Sequence, residues 1–360
     1  MWIASVKAAT IRDVAARAEV SVASVSRVLT GAGIVAEPTR QRVLEAVAAL
    51  AYVPHSGARS LSTSRTDTVG VILPDLFGEF FSELIRGMDI TARAHGLHLI
   101  VSSSHDDAAD AAAAIRSMRG RVDGLIVLSP HLDAVDLAAS LSGRLPVLLM
   151  NGGANDAGRP SIVVDNMGGA AAAVGHLLDL GHRRILHISG PAGNLEARDR
   201  KAGYSQAMLS AGQEVLIAQG DFTQASGHTA VTQLLRQGRA PQAVFAANDM
   251  MALGALLALQ DAGLRCPEDV AVVGFDDVPI AALVRPSLST MRIDIAQTGS
   301  RAMERLVGLI TASSDPGAAP DLACEVIRPR LVVRQSTTSS IATRPGHAAH
   351  ALAPIASNGE

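Results

Sequence analysis

Arg27 closes the run Val22-Ala23-Ser24-Val25-Ser26-Arg27, and the residue types in that run suit the edge of a DNA duplex. A guanidinium donates two parallel hydrogen bonds to guanine O6 and N7, while Val22 and Ala23 offer only apolar contact, as to a thymine methyl. Ser24 and Ser26 suit phosphate oxygens, which position a protein without reading sequence, and Thr10 and Ser21, each at a helix start, join them as candidate DNA contacts. A second set lies far downstream: Asp75, Asn151, Arg200, Asn248 and Asp276, with the rings of Phe80, Phe81 and Phe222. Each of these except Phe222, singled out because aromatic residues are scarce in this chain, follows a segment that reads as a buried strand. Amides, carboxylates and one guanidinium converging with a few aromatic rings suit a small ligand rich in hydroxyls or polar ring atoms.

The elements that position the first set are short. Thr10 caps a helix and Asp13 reaches back to it, a capping box, and apolar Ile11, Val14, Ala15 and Ala18 then recur on one face. Glu19-Val20-Ser21 makes a turn, with Ser21 as the cap of a second helix whose inner face is Val25, Val28 and Leu29. Val22, Ala23, Ser26 and Arg27 then lie on its free face, which makes a helix-turn-helix with its second helix in the major groove. The plainer reading is a helical hairpin with a solvated arginine. A third helix is expected over Thr39 to Leu50, with Pro38 in its first turn, and Tyr52-Val53-Pro54 leads into His55-Ser56-Gly57-Ala58-Arg59-Ser60-Leu61.

Quoted as they stand, the stretches TIRDVA, VSVASVSRVL, TRQRVLEAV and YVPHSGARSL closely resemble the headpiece and hinge of the lactose-repressor/galactose-repressor family of bacterial transcription regulators. The resemblance covers residues 10 to 337 and implies a hinge helix at a dimer axis, where Arg59 and Leu61 are further DNA contacts. Leu61 would wedge into the minor groove and bend the duplex. Three residues depart from the family pattern: Glu19 stands at a turn glycine, Ala36 at a serine cap, and Gly57 at a larger apolar hinge residue. A left-handed residue with a Cβ costs about 1 kcal/mol, and Gly57 weakens an already short helix, so the hinge is expected to order only on DNA.

From Thr68 the pattern becomes β-branched runs alternating with Ala- and Leu-rich helices. TVGVILP, LHLIVSS, VDGLIVLSP, LPVLLMN, RILHISG, QAVFAAN and VAVVGFDD read as buried parallel strands, with helices such as Phe80 to His95 and Asp107 to Arg119 between them. Such alternation means doubly wound α/β sheets, here in two lobes. With the resemblance, which extends to the family's effector domain, the expected fold is an all-α helix-turn-helix headpiece with a hinge helix, then a two-lobed domain similar to the periplasmic sugar-binding proteins. The expected domains are a flexible extension at 1–9, headpiece at 10–54, hinge at 55–66 and effector domain at 67–338. Within the last, lobe one takes about 67–164 and 292–322, and lobe two about 165–291 and 323–338. By the same resemblance the crossings fall near Asp165, Met291 and Leu322, and one strand, IRPRLVVRQS, closes lobe two. Residues 339–360, rich in Ser, Thr, Pro, Gly and Ala, read as a disordered tail.

By the same resemblance, Arg200 in RDRKAGY matches an effector-binding arginine, Asn248 in ANDMMALG and Asp276 in GFDD match polar ligand contacts, and Phe222 in GDFTQASGH stands where a ring packs on ligand. Asp75, Phe80, Phe81 and Asn151 line the same cleft, Glu79 stands beside its mouth, and Asp165 is structural. Plainer readings stay open: Asp276 and Asp277 as a cap or turn, Phe80 and Phe81 as core, Arg198 and Arg200 as a solvated face. His176, His182 and His187 span a helix end, a loop and a strand, which does not suit a metal.

The chain has 360 residues, 48% of them hydrophobic, enough for two or three domains. Its net charge of -3 hides an asymmetry: from Thr10 to Arg65 seven arginines face four carboxylates, so the basic end takes the phosphates. Cys266 and Cys324 form no CxxC, which suggests a reducing compartment, and no long apolar run or export signal is found, so the expected location is the cytoplasm. There is no GxSxG, HExxH, P-loop or post-strand GxGxxG, so no enzyme, cofactor or catalytic residue is expected. The function expected is a repressor that binds a palindromic operator as a homodimer, controlled by a small-molecule effector, a sugar or a relative of one. An activator of the same architecture, or a sugar-capture protein of a transport system, is the alternative.

Overall fold

Thr10 starts the chain's first helix as its residue type demands. In the computed structural model, which describes residues 9–30, 34–52, 65–105, 107–128, 145–151, 159–314 and 321–338, the Thr10 amide donates to Asp13 Oδ2 at 2.8 Å. Thr10 Oγ1 accepts in turn from the Asp13 amide, completing the capping box of α1 (Ile11–Ala18). Glu19 ends that helix in the left-handed region, at φ 53°. Ser21 Oγ accepts from the Ser24 amide at 3.1 Å and so caps α2 (Val22–Thr30). The third helix, α3 (Glu37–Ala49), starts two residues before the expected Thr39, because Pro38 is tolerated in a first turn that needs no donor, and Ala36 caps it without a side-chain bond. Val14, Ala15, Ala18, Val25, Val43, Ala46 and Tyr52 form this unit's core.

Residues from Thr68 onward make a separate unit. Two six-stranded sheets carry it, ordered β11-β5-β4-β3-β1-β2 and β12-β10-β9-β8-β6-β7. The first comprises β1 (Thr68–Leu73), β2 (His98–Ser103), β3 (Gly124–Leu128), β4 (Val147–Met150), β5 (Ser161–Val164) and β11 (Cys324–Ile327). The second comprises β6 (Ile185–Ser189), β7 (Leu216–Gln219), β8 (Ala243–Ala246), β9 (Ala271–Asp276), β10 (Ser289–Arg292) and β12 (Arg330–Val332). All neighbours are parallel except β10 and β12. The parallel strands are nearly continuous apolar runs because helices cover both faces. These include α4 (Glu79–Ala94) and α5 (Ala108–Met118) in lobe one, and α6 (Asn166–Asp179), α7 (Leu195–Ser210), α8 (Gln224–Arg236) and α9 (Asp249–Asp261) in lobe two. A buried cluster runs from Val69, Leu128 and Leu148 of the first sheet to Phe245, Val273 and Phe275 of the second.

The chain leaves the first sheet at Asp165 and returns to lobe one after Arg292, where α10 (Ile295–Ser314) packs on α4. The third crossing corrects the expectation near Leu322. Residues 324–327 belong to lobe one, with Cys324 opposite Ser161 and Ile327 opposite Val164. IRPRLVVRQS is not one strand: Pro329 has no amide to continue the ladder, so the chain breaks at Arg328-Pro329 and β12 starts antiparallel to β10 in the other sheet.

His187 sits wholly inside lobe two. It stacks between Tyr204 and Phe245, with ring centroids 4.9 Å away on each side. Its Nδ1 meets the Phe245 carbonyl at 3.0 Å and must therefore carry the proton, which leaves Nε2 as an acceptor with no partner. Burial holds its pKa down at about 4, so the ring is neutral.

Candidate functional site

The strand ends of lobe two assemble a polar cluster around Arg200, which α7 carries and which is only 4% exposed. Its Nε donates to Asn166 Oδ1 at 2.7 Å, and its Nη1 to the Ala247 carbonyl at 2.5 Å. Glu196 lies 3.9 Å away on the preceding turn and Asp276 3.6 Å away at the end of β9. The guanidinium lies over Phe275, 3.9 Å from the ring centroid, a cation–π contact in a desolvated place. A solvated arginine face is thereby ruled out for Arg200.

Asp276 is 6% exposed, and its Oδ1 has no hydrogen-bond partner. Burial raises its pKa to about 7, against the pull of Arg200 and with a push from Glu196. An acceptor in that state suits a ligand hydroxyl or ring N–H. Its backbone is at φ 110° and that of Asp277 at φ 61°, a left-handed pair that supporting groups must hold. Asp277 is held by Arg292, 2.5 Å away, and Arg334, 2.7 Å away. Val278 is held by Asp249, whose Oδ2 accepts the Val278 amide at 2.9 Å while its Oδ1 accepts from Thr290 Oγ1 at 2.5 Å. Asp249 is fully buried; burial first and the Asp276 charge second push its pKa well up. A Cβ on Gly274 would sit 2.2 Å from Asp249 Oδ1, so only glycine leaves the carboxyl its place.

Phe222 and Asn248 form one arrangement. Phe222 sits at φ 70°, its carbonyl accepts from Asn248 Nδ2 at 3.0 Å, and its ring fills the space above Gly190, where a Cβ would lie 2.4 Å from Cζ. Asn248 Oδ1 meanwhile accepts from the Met251 amide and caps α9. Both ends of the Asn248 amide are thus engaged within the protein, so the tripeptide Ala247-Asn248-Asp249 braces Arg200, Phe222 and the Asp276 turn in succession.

In lobe one, Asn151 follows β4 at φ 52° and is 7% exposed, with its amide donating to Ile162 O at 2.9 Å. Asp75 is exposed, and its Oδ1 accepts from the amides of Leu76 and Phe77 in a local turn. Phe80 and Phe81 meet edge to face, 5.2 Å between centroids, half-buried against the shared core, in keeping with the core reading. Asp165 caps α6 through the Gly168 amide, in keeping with a structural role. Asn166, Glu196 and Thr290 escaped sequence reasoning, because only folding brings them to Arg200 and Asp249. Among the described residues no three His, Cys, Asp or Glu gather as a metal site.

In the headpiece, Val22, Ala23 and Arg27 are exposed while Val25 is fully buried, as the helical spacing requires. Ser26 is half-buried, and the hydroxyls of Ser21 and Ser24 bond each other at 2.9 Å. Thr10 is exposed at its cap. Arg59, Leu61 and nearly all of the expected hinge at 55–66 lie outside the described residues, as do the 339–360 tail and residues 1–8.

A helix-turn-helix presenting an arginine, followed by a two-lobed domain with a buried polar cluster at its strand ends, defines a ligand-responsive DNA-binding regulator. Residues 10–55 match the bacterial regulatory proteins of the lacI family, and residues 174–337 match a periplasmic binding protein-like domain. The chain is 35% identical over 334 residues to the HTH-type transcriptional repressor CytR of Escherichia coli (strain K12), covering 92% of this chain and 96% of that one. It superposes on a lac repressor dimer bound to operator and the anti-inducer ONPF with a TM-score of 0.81 at 30% identity, over 92% of this chain and 99% of that one. A CelR–cellobiose complex matches with a TM-score of 0.67 at 32% identity, over 91% and 99%. The chain belongs to the lacI family of bacterial transcriptional regulators, and it is a regulator rather than an enzyme. No helix among the described residues is long and apolar enough to cross a membrane.

Proposed function

We propose that this protein is a cytoplasmic transcriptional repressor that binds a palindromic operator as a homodimer and changes its operator affinity when an uncharged, hydroxyl-bearing effector, a sugar or a relative of one, enters the cleft. Arg27 reads a guanine, Val22 and Ala23 contact bases, and Thr10, Ser21, Ser24 and Ser26 face phosphates, with Arg59 and Leu61 in the hinge. Arg200, Asp276, Phe222, Asn248, Asn151, Asp75, Phe80 and Phe81 form or support the effector pocket. Two-fold symmetry of the protein is mirrored by two half-sites in the DNA.

The observation that carries this reading is the free acceptor of Asp276, buried beside Arg200 at the strand ends of a domain whose chain also carries an exposed Arg27 on a capped second helix. The test selects bound duplexes from a random library with the full chain and with a chain lacking residues 1–62, then titrates D-ribose, D-galactose, cellobiose and cytidine. The expected result is a two-fold-symmetric motif that needs residues 1–62, with at least one compound shifting its occupancy. An equally enriched motif from the truncated chain would refute the assignment. Reporter output from a promoter carrying the motif separates repression from activation.

A further inference from the structure

The turn that follows Asp276 is tied to the opposite lobe. Pro279–Ala282 forms a single 3-10 turn, and Val278, at its start, supplies no capping side chain. The Ile280 amide therefore has no acceptor within the turn, and it donates instead to Glu79 Oε2, 3.0 Å away and 201 positions earlier in the chain. Glu79 is the first residue of α4 in lobe one. A carboxylate from one lobe thus caps a turn of the other, at a point separate from the three segments where the chain crosses. Both residues are half-buried, and Ile280 packs on the core cluster that the lobes share.

The backbone between the pocket and this contact is stiff. Asp277 is anchored by Arg292 and Arg334, the Val278 amide by Asp249, and Pro279 locks its own φ. Movement of Asp276 toward a ligand therefore reaches Ile280, four residues on, with little slack to absorb it.

We infer that Glu79 is a positioning residue of the effector cleft, its carboxylate clasping the Ile280 amide so that the ligand-free lobes are held closed. The clasp acts through the turn and not by touching ligand, unlike the residues of the pocket. Its regulatory meaning rests on reading the cleft as an effector site, whereas the clasp itself is measured without effector or DNA.

The test uses the full chain with Cys324→Ser, carrying spin labels at Arg116→Cys in lobe one and Gln206→Cys in lobe two, both positions being exposed. Interlobe distances are compared for the parent, Glu79→Ala, Glu79→Gln and Glu83→Ala, and hydrogen exchange at the Ile280 amide is followed in each. Losing a bond to a charged acceptor lowers the closed-to-open ratio roughly ten- to a hundredfold, so Glu79→Ala should lengthen and broaden the distance and speed exchange. Glu79→Gln keeps an acceptor oxygen and should stay close to the parent. Glu83, which pairs with Arg86 on its own helix, should be neutral. An unchanged distance in Glu79→Ala overturns the assignment, and so does equal opening by the Ala and Gln variants, which would mean that bulk rather than the acceptor matters. Loss of operator binding by the parent chain would sink the proposed function, while the distances and exchange rates would still decide for or against the clasp.

Discussion

Replacing Asp276 by Asn should stabilise the ligand-free effector domain at neutral pH while removing its ligand response. The carboxyl is 6% exposed, one oxygen lacks a partner, and burial raises its pKa to about 7 from an ordinary 3.8. A group whose pKa is raised on folding binds its proton more tightly in the native state. Native stability from this group is therefore full below pH 4, declines as pH rises through the window from 4 to 7, and levels off above it. At 1.36 kcal/mol per unit, the shift corresponds to about 4 kcal/mol lost across the window. His187 works in the opposite sense. Its pKa is lowered from 6.5 to about 4, so its contribution is complete above 6.5 and is lost as pH falls toward 4. The slopes of Asp276 and His187 overlap and partly cancel in the wild-type profile, and Asp249, whose pKa is also raised, adds to the Asp276 slope, which is why the difference between wild type and Asp276→Asn is the informative quantity. Urea unfolding from pH 4 to 8 should show that difference near zero at pH 4 and rising to a few kcal/mol in favour of the variant by pH 8. A variant less stable than wild type at pH 8 would refute the reasoning, since the ionised carboxylate would then be stabilised by Arg200 more than burial disfavours it.

Three further outcomes follow from the same structure. His187→Phe keeps the stack between Tyr204 and Phe245 and removes an unpartnered acceptor; it should gain about 1 kcal/mol at pH 7 and flatten the acid limb of unfolding below pH 6.5, and a loss at both pH values would count against it. Glu19→Gly relieves a residue held at φ 53° and should stabilise the isolated headpiece by up to about 1 kcal/mol in thermal unfolding, with a fall in midpoint refuting the strain. Arg27→Ala should cost about 1 to 3 kcal/mol on the selected operator and relax preference at one base pair, whereas equal losses on selected and random duplexes would make Arg27 a phosphate contact.

The sequence by itself determined what depends on neighbours a few residues apart. The capping box of Thr10 and Asp13, the inward Val25 and outward Arg27, and the alternation of apolar strands with helices are all settled within one or two turns of chain, so spacing and residue type reveal them, while the left-handed Glu19 was expected only from the glycine that the family carries there. Asn151, Arg200, Asn248 and Asp276 were legible as strand-end polar groups because parallel strands deliver their carboxyl ends to one edge, whereas Phe222 was placed only by the family resemblance. What each does there was not legible. Asn248 spends both ends of its amide on Phe222 and Met251, Asp249 braces the Asp276 turn across 29 residues, and Glu79 reaches Ile280 across 201. The third crossing moved from Leu322 to Arg328-Pro329 because the ladder between β11 and β5 outlasted the apolar pattern and ended only where proline has no amide to give. Burial did the rest. A carboxyl at position 276 has an ordinary pKa in an unfolded chain, and only a desolvated place beside Arg200 and Glu196 raises it to about 7 and leaves one oxygen without a hydrogen-bond partner.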